Sequence, residues 1–285
     1  MKNGLKIFVA SAVLMLALFS CQKMNKPALG NYPTDSNPPD GPLAFYAAFD
    51  GTSTNPLMNG VDSIRALFPS DNPFTSGDGV RGKALIGVNQ KYVKYPSFNT
   101  WTSSSSFSVS VWFKKNGQTK NNSGTNGPEY IYSMRAADNF HWSNAVSFLF
   151  IEGNNTGVAI KSMYISSNST GGSDPWFTWE GGQTIPGLLN DQWHHIVLVY
   201  DATTSTVRLY VDGVQNPNTK TWTGHGPLAL ASNKITDFRI GAGPSNSFNS
   251  DDWLAGSFKG GLDQFRLYSK ALTAAEVQAL FVGKM

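Results

Sequence analysis

Retaining hydrolysis of a glycosidic bond needs two carboxylates about 5 Å apart, one as acid and one as nucleophile. Alternate positions on a strand meet that need, because their side chains share a face. No two carboxylates in this 285-residue chain stand two residues apart. The four glutamates are Glu129, Glu152, Glu180 and Glu276. Glu276 follows Thr273 at capping-box spacing. A catalytic pair would have to come from different strands, for example Glu152 with Glu180. Histidine offers little more. His194 and His195 are adjacent on a predicted strand, so they point to opposite faces and cannot chelate one metal. His141 and His225 are isolated, and no Ser-His-Asp order, zinc spacing or phosphate loop is present. The residues therefore predict a protein that is not an enzyme.

Aromatic residues offer a different chemistry. A sugar site wants a flat ring for the apolar face of the sugar and polar groups for its hydroxyls. The predicted loops carry such pairs: Trp176 and Trp179 near Asp174 and Glu180, Trp222 near His225, Trp253 near Asp251 and Asp252, and Trp142 near His141 and Asn144. The candidate ligand-binding residues among them are Trp142, Asp174, Trp176, Trp179, Trp222, Asp251, Asp252 and Trp253. For each tryptophan the structural alternative is packing against the domain rim. Trp112 and Trp193 fall in predicted strands and read as core or sheet-face residues.

The element that positions all of this is the stretch Trp193 to Val214. It reads as two strands joined by the polar link Asp201–Ser205, with a turn at Asp212-Gly213. The first strand is apolar on both faces, as expected mid-sheet; the second alternates. Other predicted strands are Leu43–Phe49, Lys83–Tyr95 as a pair or one long bent strand, Ser106–Lys114, Tyr130–Met134, Val146–Ile151, Val158–Ile165, Ile235–Gly241 and Phe258–Tyr268. Residues 50–81, 116–128, 166–182 and 242–256 read as loops rich in Gly, Asn and Pro. Thr273 starts one short helix, with Val277, Leu280 and Phe281 on a face that docks on the sandwich edge. The pattern predicts an all-β antiparallel sandwich with one short C-terminal helix.

The hairpin W-H-H-I-V-L-V-Y-D followed by V-R-L-Y-V-D-G-V resembles the central hairpin of laminin-G-like domains, which are concanavalin A-like jelly rolls. Phe258-Lys-Gly-Gly-Leu-Asp-Gln-Phe-Arg-Leu-Tyr268 is similar to the closing strand of that family, and the helix follows it. Phe49-Asp50-Gly51, Gly82–Leu85 and Ser106–Trp112 are weaker matches. The resemblance spans residues 42–285 and implies a jelly-roll β-sandwich of two antiparallel sheets. It does not choose between a lectin and a glycanase. Catalytic relatives carry Glu-x-Asp-x-x-Glu on one strand, which this chain lacks. Laminin-G-like domains often hold one calcium ion, and the resemblance points to Asp50 and Asp263 as its ligands; the alternatives are a turn-forming Asp50 and a hydrogen-bonded strand Asp263. Two function classes remain: a noncatalytic carbohydrate-binding protein, or a protein-interaction and adhesion module of the laminin-G type.

Composition limits the partners. Charged residues make up 14% of the chain and aromatics 13%. Basic residues number 22 and acidic ones 19; without the first 20 residues the balance is 20 to 19. Such near neutrality excludes an electrostatic nucleic-acid binder. Cys21 is the one cysteine, so no intramolecular disulfide forms. Lys2 and Lys6 precede the apolar run Ile7–Phe19, and Leu-Phe-Ser-Cys21 ends it. That run falls short of the ~20 residues of a membrane span. It reads as a signal peptide, residues 1–20, ending in a lipobox-like motif, with Cys21 lipidated. Residues 22–41 read as a flexible tether that reaches at most ~70 Å. The expectation is a bacterial envelope lipoprotein that touches the outer membrane only through its lipid. Its partner is a glycan or polysaccharide, or an envelope protein.

Overall fold

The computed structural model describes residues 41–50, 57, 59–61, 66, 75–95, 104–137, 140–166, 176–247 and 252–284. The strands are, in chain order, β1 (Leu43–Ala47), β2 (Thr75–Asp78), β3 (Lys83–Ile86), β4 (Val93–Tyr95), β5 (Phe107–Asn116), β6 (Glu129–Ala136), β7 (Ala145–Asn154) and β8 (Gly157–Tyr164). They continue with β9 (Trp176–Trp179), β10 (Asn190–Asp201), β11 (Thr206–Val211), β12 (Val214–Gln215), β13 (Lys220–Thr221), β14 (Ile235–Ile240) and β15 (Gly261–Tyr268). One helix, α1 (Ala274–Gly283), ends the fold.

Two antiparallel sheets face each other. One runs β12-β11-β10-β5-β15-β3-β2, with β1 paired to β15 and β13 to β11; the other runs β4-β14-β6-β7-β8-β9. The predicted hairpin is the middle of the first sheet. Ile196, Leu198 and Tyr200 of β10 enter the main core, while Val197 and Val199 enter a second cluster on the outer face. That two-sided burial explains why β10 reads as apolar throughout. The β11–β12 turn uses Asp212 and Gly213, both with positive φ, 50° and 79°. A type I′ turn demands such angles, and its twist matches that of the strands. In β5 Phe107, Val109, Val111 and Phe113 face the core, as their alternation predicts.

The helix α1 docks not on the sandwich edge, as expected, but over the outer face of the first sheet, because β5, β10 and β15 present apolar side chains there. Thr273 accepts from the Glu276 amide at 3.3 Å, and Glu276 accepts from the Thr273 amide at 2.9 Å, closing the capping box. Val277 and Leu280 pack against Tyr210 and Tyr268. Phe281 stacks on Trp112, 5.6 Å between centroids, and Trp112 stacks in turn on His195 at 4.9 Å. Trp112 is therefore a sheet-face residue, buried beneath the helix.

Three further sequence expectations change. Residues 166–182 read as loop, yet Trp176–Trp179 pairs with β8 as the edge strand of the second sheet. Residues 50–81 read as loop, yet Thr75–Asp78 pairs with β3. Lys83–Tyr95 is neither a hairpin nor one bent strand: β3 and β4 belong to different sheets. In each case the pairing partner lies outside the segment, so local pattern alone was silent.

Candidate functional site

The outer face of the second sheet is aromatic. Inward positions of β7, Leu149 and Ile151, join the main core, and the alternate positions Phe148 and Phe150 point outward with Tyr130 and Met163. The register extends these rows across the sheet. Phe148 lies opposite Met163 and Met163 opposite Trp176; Phe150 lies opposite Lys161 and Lys161 opposite Thr178. Outward rows of this kind hold their members about 5 Å apart, close enough for contiguous contact.

Two loop tryptophans complete the surface. Trp142 sits in the β6–β7 connection and Trp253 in the 3₁₀ turn Trp253–Ala255. The Asp252 carboxylate caps that turn by accepting from the Leu254 amide at 3.1 Å. Trp142, Trp176 and Trp253 form a triangle with centroid separations of 5.8, 5.6 and 5.7 Å. Trp142 and Trp176 lie within 24° of parallel. Trp142 is 55% exposed and Trp176 37%. Beside the triangle runs a groove of about 390 Å³, lined by Pro128, Phe150, Glu152, Lys161, Trp176, Thr178, Glu180 and Trp253.

The polar end of the groove is an ion-pair triad. The Lys161 ammonium lies 2.8 Å from Glu180 Oε2 and 3.3 Å from Glu152 Oε2. Burial pulls the Lys161 pKa down, but its two carboxylates outweigh that and raise it. The hydrogen bond from Lys161 holds Glu180 below the usual carboxylate range. Glu180 is thus kept ionised at neutral pH, the opposite of what a general acid requires.

A buried charge lies next to the groove residue Pro128 in sequence. Glu129, fully buried, meets the Lys115 ammonium at 2.9 Å and accepts from the amides of Lys120 at 2.8 Å and Lys259 at 2.7 Å. A buried carboxylate survives only with such compensation.

Of the residues singled out in sequence, Trp142, Trp176 and Trp253 converge, with Asp252 beside them. Trp179 does not join them. It stands an odd number of positions from Trp176 on one strand, so it points inward; it is fully buried, and its Nε1–H donates to the Asn218 carbonyl at 2.7 Å. Trp222 packs on the main core at another place, its ring 3.5 Å from that of His225. Asp174, Asp251 and Cys21 lie outside the described residues. Glu152 and Glu180 do meet, with Lys161 between them. Phe150, Lys161 and Thr178 were not foreseen as groove residues. The signal was present in β8, where Lys161 is the one charge in Val-Ala-Ile-Lys-Ser-Met-Tyr.

The proposed calcium ligands also approach each other. β1 pairs with β15, which brings Asp50 near Asp263. Asp50 accepts from the Lys83 amide at 2.7 Å. Asp263, fully buried, accepts from the amides of Val80 at 2.7 Å, Arg81 at 3.3 Å and Gln264 at 2.8 Å. A Cβ at Gly79 would lie 2.4 Å from Asp263 Oδ2, and one at Gly82 2.1 Å from Asp50 Oδ1, so this loop needs both glycines. Burial, with a smaller push from Asp50, raises Asp263 to about 8. The pair by itself falls short of the six to eight oxygens calcium takes, and a bound cation would have to displace the proton that burial favours on Asp263. No cluster of three or more His, Cys, Asp or Glu occurs among the described residues. No described helix is long and apolar enough to cross a membrane.

Comparison with known proteins agrees with this architecture. The model of the concanavalin A-like lectin/glucanase superfamily, Laminin_G_3, matches residues 87–278. No curated protein matches the chain significantly. Among solved structures, domain 4 of a GH43 extracellular arabinanase from Geobacillus stearothermophilus, in complex with arabinotriose, is similar at 21% identity and a TM-score of 0.53, covering 84% of this chain and 97% of that one. The binding domain of botulinum neurotoxin serotype G is similar at 13% identity and a TM-score of 0.54; the match covers 85% of this chain and 51% of that one. A sialidase from Trypanosoma rangeli, at 13% identity and a TM-score of 0.53, is covered over only 32% of its length against 85% of this chain. At these identities the likeness is one of fold. Two antiparallel sheets, the closing strand beside the first, and a family match over most of the chain agree: this protein belongs to the concanavalin A-like lectin/glucanase superfamily.

Proposed function

We propose that this protein is a noncatalytic, lipid-anchored envelope protein that binds a glycan in the groove beside Trp142, Trp176 and Trp253. The observation that carries this reading is the meeting of three tryptophans from separate segments on one solvent-facing surface. Exposed rings cost free energy in water, and a sugar's C–H face relieves that cost by stacking. Lys161, Glu152 and Glu180 lie alongside as donors and acceptors for hydroxyls. The arabinotriose complex of the similar arabinanase domain is in keeping with this reading.

The noncatalytic part rests on the lysine between the two glutamates. A retaining pair needs one protonated carboxyl and one free nucleophile. Here one ammonium neutralises part of both charges and keeps Glu180 ionised. A calcium ion at Asp50 and Asp263 would serve structure, by relieving the like charges, and lies apart from the groove residues. Cys21 carries the lipid; Cys21→Ser is expected to release the protein from the membrane fraction.

Affinity electrophoresis against plant, algal and host polysaccharides tests the central reading. Retardation by a polymer that is not shortened, lost in Trp176→Ala, supports it. Shortened polymer would overturn the noncatalytic reading. If no polymer retards the protein, the adhesion reading takes its place.

A further inference from the structure

The charge of the groove limits which glycan it takes. Its lining holds two carboxylates, Glu152 and Glu180, against one ammonium, Lys161. Asp252 adds a further carboxylate on the Trp253 side. The cation is already engaged: Lys161 contacts both glutamates, at 3.3 and 2.8 Å. The other lysine that acts on Glu180, Lys220, lies over the Trp179 ring at 5.4 Å, bonds Gln183 and is not part of the groove lining. An incoming sugar carboxylate or sulfate would thus meet net negative charge and no unengaged ammonium in the lining. Close to a protein surface, like charges a few ångströms apart repel strongly. Hydroxyls fare differently. They donate to carboxylates in charge-assisted hydrogen bonds, and the aromatic end takes the apolar sugar face. The Tyr130 hydroxyl, buried below the platform, feels the same negative field from Asp252 and Glu152.

Building on the glycan-binding reading, we propose that this groove selects uncharged glycans and rejects acidic ones, the Glu152–Lys161–Glu180 triad acting as the filter. Lys161 shares its row with Phe150 and Thr178, one row on from Trp176, and both glutamates line the same groove, so a chain stacked on Trp176 and running along the groove meets the triad.

The test runs the full chain in detergent on affinity gels at low salt, with linear arabinan, mannan and β-glucan as neutral polymers and polygalacturonate and chondroitin sulfate as acidic ones. At least one neutral polymer should retard it in a Trp176-dependent way, and added salt should leave that retardation unchanged. Acidic polymers should not retard it. In the double variant Glu152→Gln/Glu180→Gln, which leaves Lys161 unopposed, binding of an acidic polymer should rise roughly tenfold or more. Should that variant not fold, the salt series on the wild type decides, since repulsion predicts that acidic binding strengthens as salt rises. Trp176-dependent retardation of the wild type by an acidic polymer at low salt would overturn the filter while leaving the glycan site standing. Retardation by no polymer in either class would overturn both.

Discussion

Trp142 stacks on Trp176 with 5.8 Å between centroids and 24° between planes, although one stands in a hairpin connection and the other on an edge strand. Two rings that remain this exposed contribute less to the core than to the surface they present. Trp176→Ala and Trp142→Ala should each weaken glycan binding by roughly tenfold, in line with ~1 kcal/mol per aromatic stacking contact plus lost area. Their melting temperatures should stay within about 2 °C of wild type, because the rings are not core residues. Binding gels and thermal melts on the same preparations check both statements.

Trp179→Ala should behave in the opposite way. Its ring fills the main core and its Nε1–H is satisfied by Asn218. Removal leaves a cavity and an unpaired carbonyl, and should cost about 3–5 kcal/mol in a urea titration. A small loss there would mean that the β9 register is wrong.

Lys161→Met should shift the titration of Glu180. In the wild type the hydrogen bond from Lys161 depresses the pKa of Glu180, so its midpoint by carboxyl NMR lies below that of a free glutamate. A depressed pKa contributes stability that is present above the unfolded value and fades as pH falls through the folded one. Without Lys161 the midpoint should move upward and that acid-side fade should weaken. An unmoved midpoint would sever the link between the pair and the pKa.

Asp263 has the reverse sign. Its folded pKa is raised to about 8 from 3.8, chiefly by burial. The folded state therefore holds the proton more tightly than the unfolded state. In chelator, stability should be full below the unfolded value and decline as pH climbs from about 4 toward about 8. Excess calcium should flatten that decline if Asp50 and Asp263 bind the ion. Identical pH profiles with and without calcium would remove the ion from the protein.

Thr273→Ala removes one half of the capping box that starts α1. The expected loss is about 1 kcal/mol by chemical denaturation. A larger loss would show that α1, through Phe281 on Trp112, holds the outer face of the first sheet as a unit.

Much of the framework was legible in the chain itself. The two-sided apolar run of β10, the clean alternation of β5, the turn at Asp212-Gly213 and the Thr273–Glu276 box are local patterns, and local patterns survive folding because each is set by neighbours in sequence. The laminin-G-like hairpin and closing strand gave the sandwich its topology. The site was only half legible. Tryptophan in Gly- and Asn-rich segments marked Trp142, Trp176 and Trp253, yet the same signal marked Trp179 and Trp222, which pack inward.

Only tertiary structure separated the two groups. Whether Trp176 or Trp179 faces solvent depends on β9 being a strand at all, and that rests on its pairing with β8. The triangle depends on three segments distant in sequence reaching one sheet face. The meeting of Glu152 with Glu180 across Lys161 depends on the register of β7, β8 and β9. Composition and spacing determine which residues are available and which way each alternates within its own strand. Register between strands decides which of them meet, because a slip of one residue would turn every outward ring into the core.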